Sequence, residues 1–335
     1  MITVQMFDIR NTVSHVIEVS NLIAKTAQQS NRIVEFEAVG LSLSIAEALV
    51  FPTNNLTRLT ISGHGAEELP LIFGDQMPCL KRLTMSNPSG WCLRMFQDVT
   101  RVELFGSGSH IHLSSLTDFL DGATSLGELS LSRFWEFRPE RQKAPRVIAL
   151  PSLHDLKFSF CNTPRILDHL NLLPSKRVSI LASYDPNNRH TIHYLPTTGS
   201  FHSLLYNTES LTVTLHATSD EFYLVTCLRN GEPTCFLQIY DNRKRLDEGW
   251  FLRSADAIAE FRPFFHVNAL NVSVERCAVP WEQWLRQLDR LVSMDVSSVD
   301  VGELVLTLSG THPRHGGPVC PPNLHRLHDY PPFAP

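Results

Sequence analysis

Two stretches of nine residues, NLTRLTISG (residues 55–63) and CLKRLTMSN (residues 79–87), are nearly the same sequence written twice. Each has apolar residues at its second, fifth and seventh positions, a central Arg-Leu-Thr and a Ser near its end. The copies are 24 residues apart, a spacing within the range of about 20 to 50 residues that is typical of repeat architectures. The pair therefore predicts a chain built from repeated structural units.

The apolar pattern L-x-x-L-x-L, with other apolar residues allowed, recurs along the whole chain. The clearest copies begin at Leu56, Leu80, Val99, Leu126 and Leu153, and their middle positions advance by 24, 19, 27 and 27 residues. Weaker copies are centred on later apolar pairs: Val178 and Ile180, Leu211 and Val213, Leu237 and Ile239, and Leu270 and Val272. Leu304, Leu306 and Leu308 are a candidate last copy. The longer steps in the second half indicate insertions.

Each repeat combines a strand signal with a helix signal. The last two apolar residues of a copy are two positions apart, the spacing of a strand with one buried face. Between copies, residues 42–51 and 113–123 space their apolar residues at three and four, which favours helices. Such units bury their apolar faces only by stacking. The predicted fold is α/β: an irregular leucine-rich-repeat solenoid, or horseshoe, with a parallel sheet on its concave face and helices on its convex face.

The predicted organisation has three parts. Residues 1–31 form an N-terminal capping helix, and residues 32–310 form the solenoid, with RIVEFEAV (residues 32–39) as its first strand. Residues 311–335 form a disordered tail rich in Pro and His, although NLHRL (residues 323–327) resembles the start of another repeat. The segment around Asn230-Gly231 favours a β-hairpin, either a structural elaboration or a projecting binding loop.

Composition limits the function classes. The 335 residues are 43% hydrophobic and 19% charged, with a formal net charge of −5. This balance argues against a general nucleic-acid or membrane-surface binder, and no apolar run approaches the roughly 18 residues of a spanning helix. The seven cysteines contain no CxxC motif, and the N-terminus lacks the pattern of a secretory signal. We expect a cytoplasmic or nuclear protein.

The sequence contains no strong catalytic or metal motif. We therefore expect no catalytic residues, no cofactor and no metal site. His110 and His112 form an HxH pattern without a supporting ligand, and the tail carries irregularly spaced His312, His315, Cys320, His325 and His328. Trp281, Trp284, Leu285 and Leu288 are expected to share a buried helical face.

The exposed positions of the strands are the best candidates for partner binding. Residues that alternate with the buried leucines face outward, so neighbouring repeats place Arg58, Arg82 and Arg101 in a row, followed by Glu128 and Asp155. Charged residues at such positions are also common on surfaces without function. If the row binds a partner, we expect that partner to present an acidic surface. Phe236 and Tyr240 are candidate aromatic anchors in a later repeat.

Several longer stretches resemble one family of repeat proteins. MPCLKRLTMS, DVTRVELFG, LPSLHDLKFSFCNTPRILDHLNLLPSKRVSI and PWEQWLRQLDRLVSMDV resemble the F-box-like/leucine-rich-repeat proteins of mushroom-forming fungi. The resemblance spans roughly residues 15 to 310. Family members usually begin with an F-box opening with a Leu-Pro-x-Glu-Ile-like signature, which docks the Skp adaptor of a ubiquitin ligase. No such signature precedes these repeats, so we do not expect binding to the Skp adaptor.

The resemblance and the residues together predict a non-enzymatic protein–protein interaction module. It resembles the substrate-recognition half of an F-box/leucine-rich-repeat subunit, whose partner would be a ubiquitination target. Alternatively, the chain is a scaffold or fragment unrelated to ubiquitination. An enzyme that uses the solenoid as a rigid frame is a further alternative, and a compact set of Ser, His and acidic residues on adjacent repeats would favour it. The identity of the partner does not follow from the sequence.

Overall fold

A computed structural model of the chain describes residues 2–7, 23–41, 43–63, 72–86, 98–106, 111–134, 137–138, 147–161, 163–172, 176–183, 201, 205, 208–216, 222–240, 267–274, 281–286, 288, 290–298, 302–309 and 321–330. The chain divides into two compact units, Met1–Asn162 and Thr163–Pro335. Both units are α/β, with a sheet that dominates and short helices. The α/β class and the mostly parallel sheet predicted from the sequence are therefore confirmed.

The first unit contains a sheet in which every neighbouring pair of strands is parallel. Its strands, in spatial order, are β1 (Ile2–Phe7), β2 (Ile33–Leu41), β3 (Arg58–Gly63), β4 (Arg82–Ser86), β5 (Arg101–Phe105), β7 (Glu128–Ser132) and β10 (Asp155–Ser159). Three short strands lie outside this series: β6 (Ile111–His112), β8 (Phe137–Arg138) and β9 (Ile148–Ala149). The spatial order follows the sequence order. A crossover segment separates each strand from the next, as parallel pairing requires.

Helical segments connect the strands of the first unit. They are residues 23–28, the 3₁₀ turn Ser30–Arg32, α1 (Leu43–Ala48), the 3₁₀ turn Ile72–Asp75 and α2 (Leu113–Gly122). Helix α2 buries Leu116, Phe119 and Leu120, whose spacing of three and four places them on one face. The helices expected within residues 42–51 and 113–123 are confirmed.

The same hydrogen bonds recur at the start of successive strands. The first leucine of a copy donates its N–H to the carbonyl three residues earlier, as Leu56 does to Thr53 and Leu80 does to Met77. One carbonyl then accepts the amides of two consecutive residues in the next repeat. The Thr57 carbonyl, for example, accepts from Lys81 and Arg82, both at 3.0 Å. Each repeat thus satisfies the backbone groups of the next at the turn before its strand.

The core of the first unit consists of the apolar positions of the repeat. Leu59, Leu83 and Leu156 are fully buried, as predicted for the middle position of each copy. Burial of such a side chain contributes roughly 1.5–3 kcal/mol. The ring of Phe73 meets that of Phe36 edge to face at 5.1 Å, which extends the core between β2 and the following 3₁₀ turn.

The second unit combines parallel strands with an antiparallel meander. Its strands, in spatial order, are β12 (Arg177–Ser183), β15 (Glu232–Tyr240), β14 (Phe222–Arg229), β13 (Ser210–His216), β16 (Ala269–Val274), β17 (Ser293–Ser298) and β18 (Arg326–Tyr330), and the short β11 (Leu170–Asn171) lies outside this series. Its helices with described bounds are α3 (Thr163–Leu167), α4 (Trp281–Leu285) and α5 (Gly302–Ser309), and Phe201 and Leu205 are also helical. The pairs β13–β14 and β14–β15 are antiparallel, and the others are parallel.

The predicted hairpin around Asn230-Gly231 is confirmed. Asn230 and Gly231 have φ values of 52° and 76°, the positive pair that a tight type I′ turn requires. Both strands of the hairpin pair within the sheet, β15 with β12 and β14 with β13. The hairpin is therefore a structural elaboration, and the projecting binding loop considered from the sequence does not form.

The structure differs from three expectations. Strand β1 (Ile2–Phe7) precedes RIVEFEAV and pairs with β2, so residues 32–39 are not the first strand. Part of the expected tail forms β18, which pairs with β17. The candidate last copy at Leu304 lies in helix α5, because an apolar run without strict alternation fits a helix as well as a strand. Of the capping helix, residues 23–28 are helical, whereas Val16 and Val19 lie outside the described residues.

Candidate functional site on the exposed face of the first unit

Equivalent exposed positions of neighbouring strands stand directly beside one another in the first unit. Arg58 is the register partner of Arg82, and Arg82 is the register partner of Arg101. Glu128 and Asp155 continue the same line on β7 and β10. The register therefore brings together the five residues of the first unit that the sequence predicted to form a row.

The register also extends the row at its other end, to Glu35 on β2. The Arg58 guanidinium lies 3.5 Å from the Glu35 carboxylate. Glu35 was not among the residues predicted from the sequence, because the predicted row started at Arg58. The alternation in RIVEFEAV could have revealed it, since a period of two places Glu35 and Glu37 on the face opposite the core.

Arg101 is the most extensively paired arginine of the row. Its guanidinium contacts Glu103 at 2.7 Å on its own strand and Glu128 at 3.0 Å on β7. The hydrogen bond with Glu103 raises the pKa of Arg101 above its ordinary value, burial opposes this shift, and the charges of Glu103, Glu128 and Asp155 add to it. Arg101 consequently remains a fixed cation between carboxylates.

Arg82 differs from the two arginines beside it. Its side chain is exposed, and it makes no hydrogen bond or ion pair with any residue that the structure describes. The row is therefore not a uniform line of three available cations. Carboxylates of the chain itself pair with Arg58 and Arg101, whereas Arg82 has no such partner among the described residues and is available to an external group.

A second exposed row runs parallel to the first, two residues further along each strand. It contains Glu37, Thr60, Thr84, Glu103, Ser130 and Lys157. The Gln5 amide donates a 2.8 Å hydrogen bond to Glu37, and within the described part of the chain Glu37 has no cationic partner. Glu37 is thus a second charge that no opposite charge within this face neutralises.

The two rows line a hollow, here called the groove, with a volume of about 380 Å³. Strands β1 to β5 all contribute to its lining: Thr3, Gln5, Glu35, Phe36, Glu37, Arg58, Thr60, Arg82, Leu83, Thr84, Arg101 and Glu103. Phe36 and Leu83 are buried, so the accessible lining is polar and charged. Its three carboxylates and three guanidinium groups balance formally. The groove can therefore hold a polar segment through hydrogen bonds and charges.

Glu128 and Asp155 do not line the groove. Glu128 is held by Arg101, and the Asp155 carboxylate forms a 2.7 Å ion pair with Lys157. The other Asp155 carboxylate oxygen is buried without a hydrogen-bond partner in the structure. Both residues are thus committed to contacts within the chain, beyond the end of the groove.

The predicted aromatic anchors belong to the second unit. Phe236 is half-buried on β15 and stands opposite Thr226 of β14 and Ser179 of β12. Tyr240 ends the same strand, and its side chain lies outside the described residues. Trp281, Leu285 and Leu288 are buried, as expected for core residues, whereas the side chain of Trp284 is outside the described set.

The other candidate chemistry of the sequence finds no support in the described part of the chain. His110, His312, His315 and Cys320 lie outside it, while His325 and His328 are exposed. Among the described residues, no three His, Cys, Asp or Glu side chains are close enough to hold a metal ion. None of the described helices has the length and apolar character needed to cross a membrane.

Strand register, side-chain charge and shape define the groove, and all of its lining residues belong to the first unit. It is built from strands whose positions follow from the repeat, and its polar lining suits an extended segment better than an apolar ligand. Comparisons of the chain with protein-family models, with curated proteins and with solved structures found no match.

Proposed function

We propose that the chain is a non-enzymatic protein-interaction module whose partner binds in the groove formed by β1 to β5. The observation that carries the proposal is that Arg82, exposed between two paired arginines, has no partner among the described residues. The planar guanidinium presents its donors as a preorganised fork, so an arginine loses less side-chain freedom for each hydrogen bond that it forms with a carboxylate.

The polar and charged neighbours of Arg82 support a protein partner. Arg58 and Arg101 are fixed by Glu35, Glu103 and Glu128, so they present a preorganised surface. The charges of both signs in the groove favour specificity and orientation over indiscriminate attraction. A polyanion would meet these carboxylates together with the arginines, which disfavours nucleic acid as the partner.

We further propose that each unit is built from irregular leucine-rich repeats that stack as in a solenoid. The hydrogen bonds that recur before successive strands support this proposal, since Leu291 and Leu324 of the second unit make the same turn as Leu56 of the first. The resemblance to F-box-like/leucine-rich-repeat proteins stays a prediction. If it is correct, the partner is a ubiquitination target and the chain acts in the cytoplasm or nucleus.

Site-specific photo-crosslinking tests the location of the binding face. A photo-crosslinking amino acid replaces Thr84, which lines the groove, in the full chain. The matched control carries it in place of Val147, which is 65% exposed in the same unit outside the groove. Both chains are exposed to a lysate of the cells that express the protein. We expect a discrete protein adduct from position 84 that is absent from position 147.

Arg82→Gln in the Thr84-labelled chain should reduce that adduct, because the substitution removes the charge but preserves much of the side chain's length. An adduct of equal yield from both labelled positions, or one that is insensitive to Arg82→Gln, would contradict the proposed binding face.

A further inference from the structure

The charges that remain after internal pairing alternate in sign along the groove and its end at β7. Glu37 has no cationic partner among the described residues, and Arg82 has no anionic one. Arg101 lies between Glu103 and Glu128, so this group carries one net negative charge. Arg58 and Glu35 cancel each other. From β2 to β7 the face therefore reads negative, positive, negative, and the last negative charge lies at the end of the groove because Glu128 of β7 is not part of its lining.

The spacing of these charges matches an extended peptide that crosses the strands. Glu37 and Glu103 occupy the same row on β2 and β5, three strand spacings or about 14 Å apart. In an extended chain, residues i and i+4 are separated by about 13–14 Å and point to the same side. Residue i+2 also points to that side and falls between the two carboxylates, above the β3 and β4 positions.

We propose that the groove binds an extended segment of the partner in which one acidic residue is flanked, two positions away on each side, by basic residues. The central carboxylate pairs with Arg82, and the flanking basic side chains pair with Glu37 and with the Glu103 end of the groove. Thr60 and Thr84 lie in the row between those carboxylates and line the groove, so their hydroxyls are available to the peptide backbone. This inference rests on the proposed function and specifies the chemistry of the partner.

Simpler charge patterns fit the groove less well. A uniformly acidic segment would meet Arg82 but would also meet Glu37 and the net negative group around Arg101. A uniformly basic segment would cover Arg82 with like charge, which costs free energy because the arginine would lose water without gaining a partner. The alternating segment satisfies all three positions. It also refines the expectation of an acidic partner surface to a single acidic residue between basic ones.

Fluorescence anisotropy with synthetic peptides tests the charge pattern. The probe is a labelled peptide containing Lys-Ser-Glu-Ser-Lys, and the matched control contains Lys-Lys-Glu-Ser-Ser, with the same composition and net charge. Both are titrated with the full chain at low ionic strength. We expect the patterned probe to bind about tenfold more tightly, the effect of one well-placed charged hydrogen-bonding pair.

Substitutions in the chain assign this preference to Arg82. Arg82→Gln should weaken binding of the patterned probe about tenfold. Lys81→Gln makes the same change in net charge one residue away, at an exposed side chain that does not line the groove, and should leave binding unchanged. Arg82→Glu should reverse the preference, so that a Lys-Ser-Lys-Ser-Lys probe binds more tightly than the patterned one.

The outcomes separate this inference from the proposed function. Equal affinity for the patterned and reordered probes, no binding of either, or equal losses from Arg82→Gln and Lys81→Gln would overturn the inference. The Thr84 adduct could still appear in each of those cases, and the proposed function would stand with a different partner chemistry. Loss of the adduct would reject the binding face for the cellular partner, whatever the peptides do.

Discussion

The three arginines at equivalent positions of the repeat have different electrostatic surroundings. Arg58 meets one carboxylate, Arg101 meets two, and Arg82 meets none among the described residues. The repeat supplies the same backbone position each time, but the neighbouring strands supply different side chains. Equivalent residues can therefore differ in role, and Arg82 is the one whose charge remains available.

A single buried thiol, that of Cys161, makes the stability of the fold depend on pH. Cys161 is buried, and its thiol donates to the carbonyl of Leu131 at 3.2 Å. Burial raises the pKa of this thiol from 9.0 to about 11. Because the raised value belongs to the folded state, its contribution to stability is complete below pH 9 and is lost as the pH rises toward 11.

We expect the free energy of unfolding to fall by about 2–3 kcal/mol over this window because of Cys161, since each unit of pKa is worth about 1.4 kcal/mol. Urea unfolding measured between pH 8 and pH 11 checks this fall. Cys161→Ala should make the fall shallower, whereas Cys79→Ala, which alters an exposed thiol, should not. Identical pH profiles for the two variants would show that the buried thiol does not cause the fall.

The turn of the β14–β15 hairpin requires a left-handed backbone conformation at Gly231. Gly231 has a φ of 76°, and a Cβ added there would meet no atom within 4 Å. A side chain at this position therefore has room but an unfavourable backbone conformation. We expect Gly231→Ala to destabilise the protein by about 1–2 kcal/mol, the cost of the left-handed conformation for an ordinary residue.

Gly231→Asn is the matched control, because asparagine tolerates the left-handed conformation better than alanine. The urea midpoint of this variant should lie between those of the parent and of Gly231→Ala. If the asparagine variant is no more stable than the alanine variant, backbone conformation is not what limits this turn.

Charge at the level of the whole molecule affects how fast a partner arrives. The chain has a formal net charge of −5, and the groove adds no formal excess of either sign. The sequence alone predicts that the arginine row acts as one attractive surface. The ion pairs instead favour a dominant contribution from Arg82, with Arg58 largely compensated by Glu35.

The association rate of the purified partner identified by crosslinking tests whether Arg82 contributes more than Arg58. Arg82→Gln should slow association at low ionic strength by a factor on the order of 3 to 10 and weaken its dependence on salt. The double variant Glu35→Gln with Arg58→Gln removes a neutral pair and should leave both properties nearly unchanged. Equal slowing by the two variants would restore the three arginines as a joint surface.

The sequence by itself determined the strands of the first five repeats, their buried leucines and the exposed positions of Arg58, Arg82 and Arg101. It also determined the hairpin at Asn230-Gly231. These features follow from local rules: alternation sets the two faces of a strand, and two residues with positive φ set a tight turn. Leu291, Met294 and Val296 follow the same pattern at the start of and within β17 and are buried, but they were not among the repeat copies identified from the sequence.

Only the tertiary structure decided which strands became neighbours. β1 (Ile2–Phe7) pairs with β2, and β13 to β15 enter their sheet in the reverse of the sequence order. The pairing of Arg58 with Glu35 depends on that register, and so does the position of Arg82 between two arginines, where it has no carboxylate partner among the described residues. Local periodicity specifies which way a side chain faces, whereas the charge beside it comes from a distant segment whose position is set by packing of the whole unit.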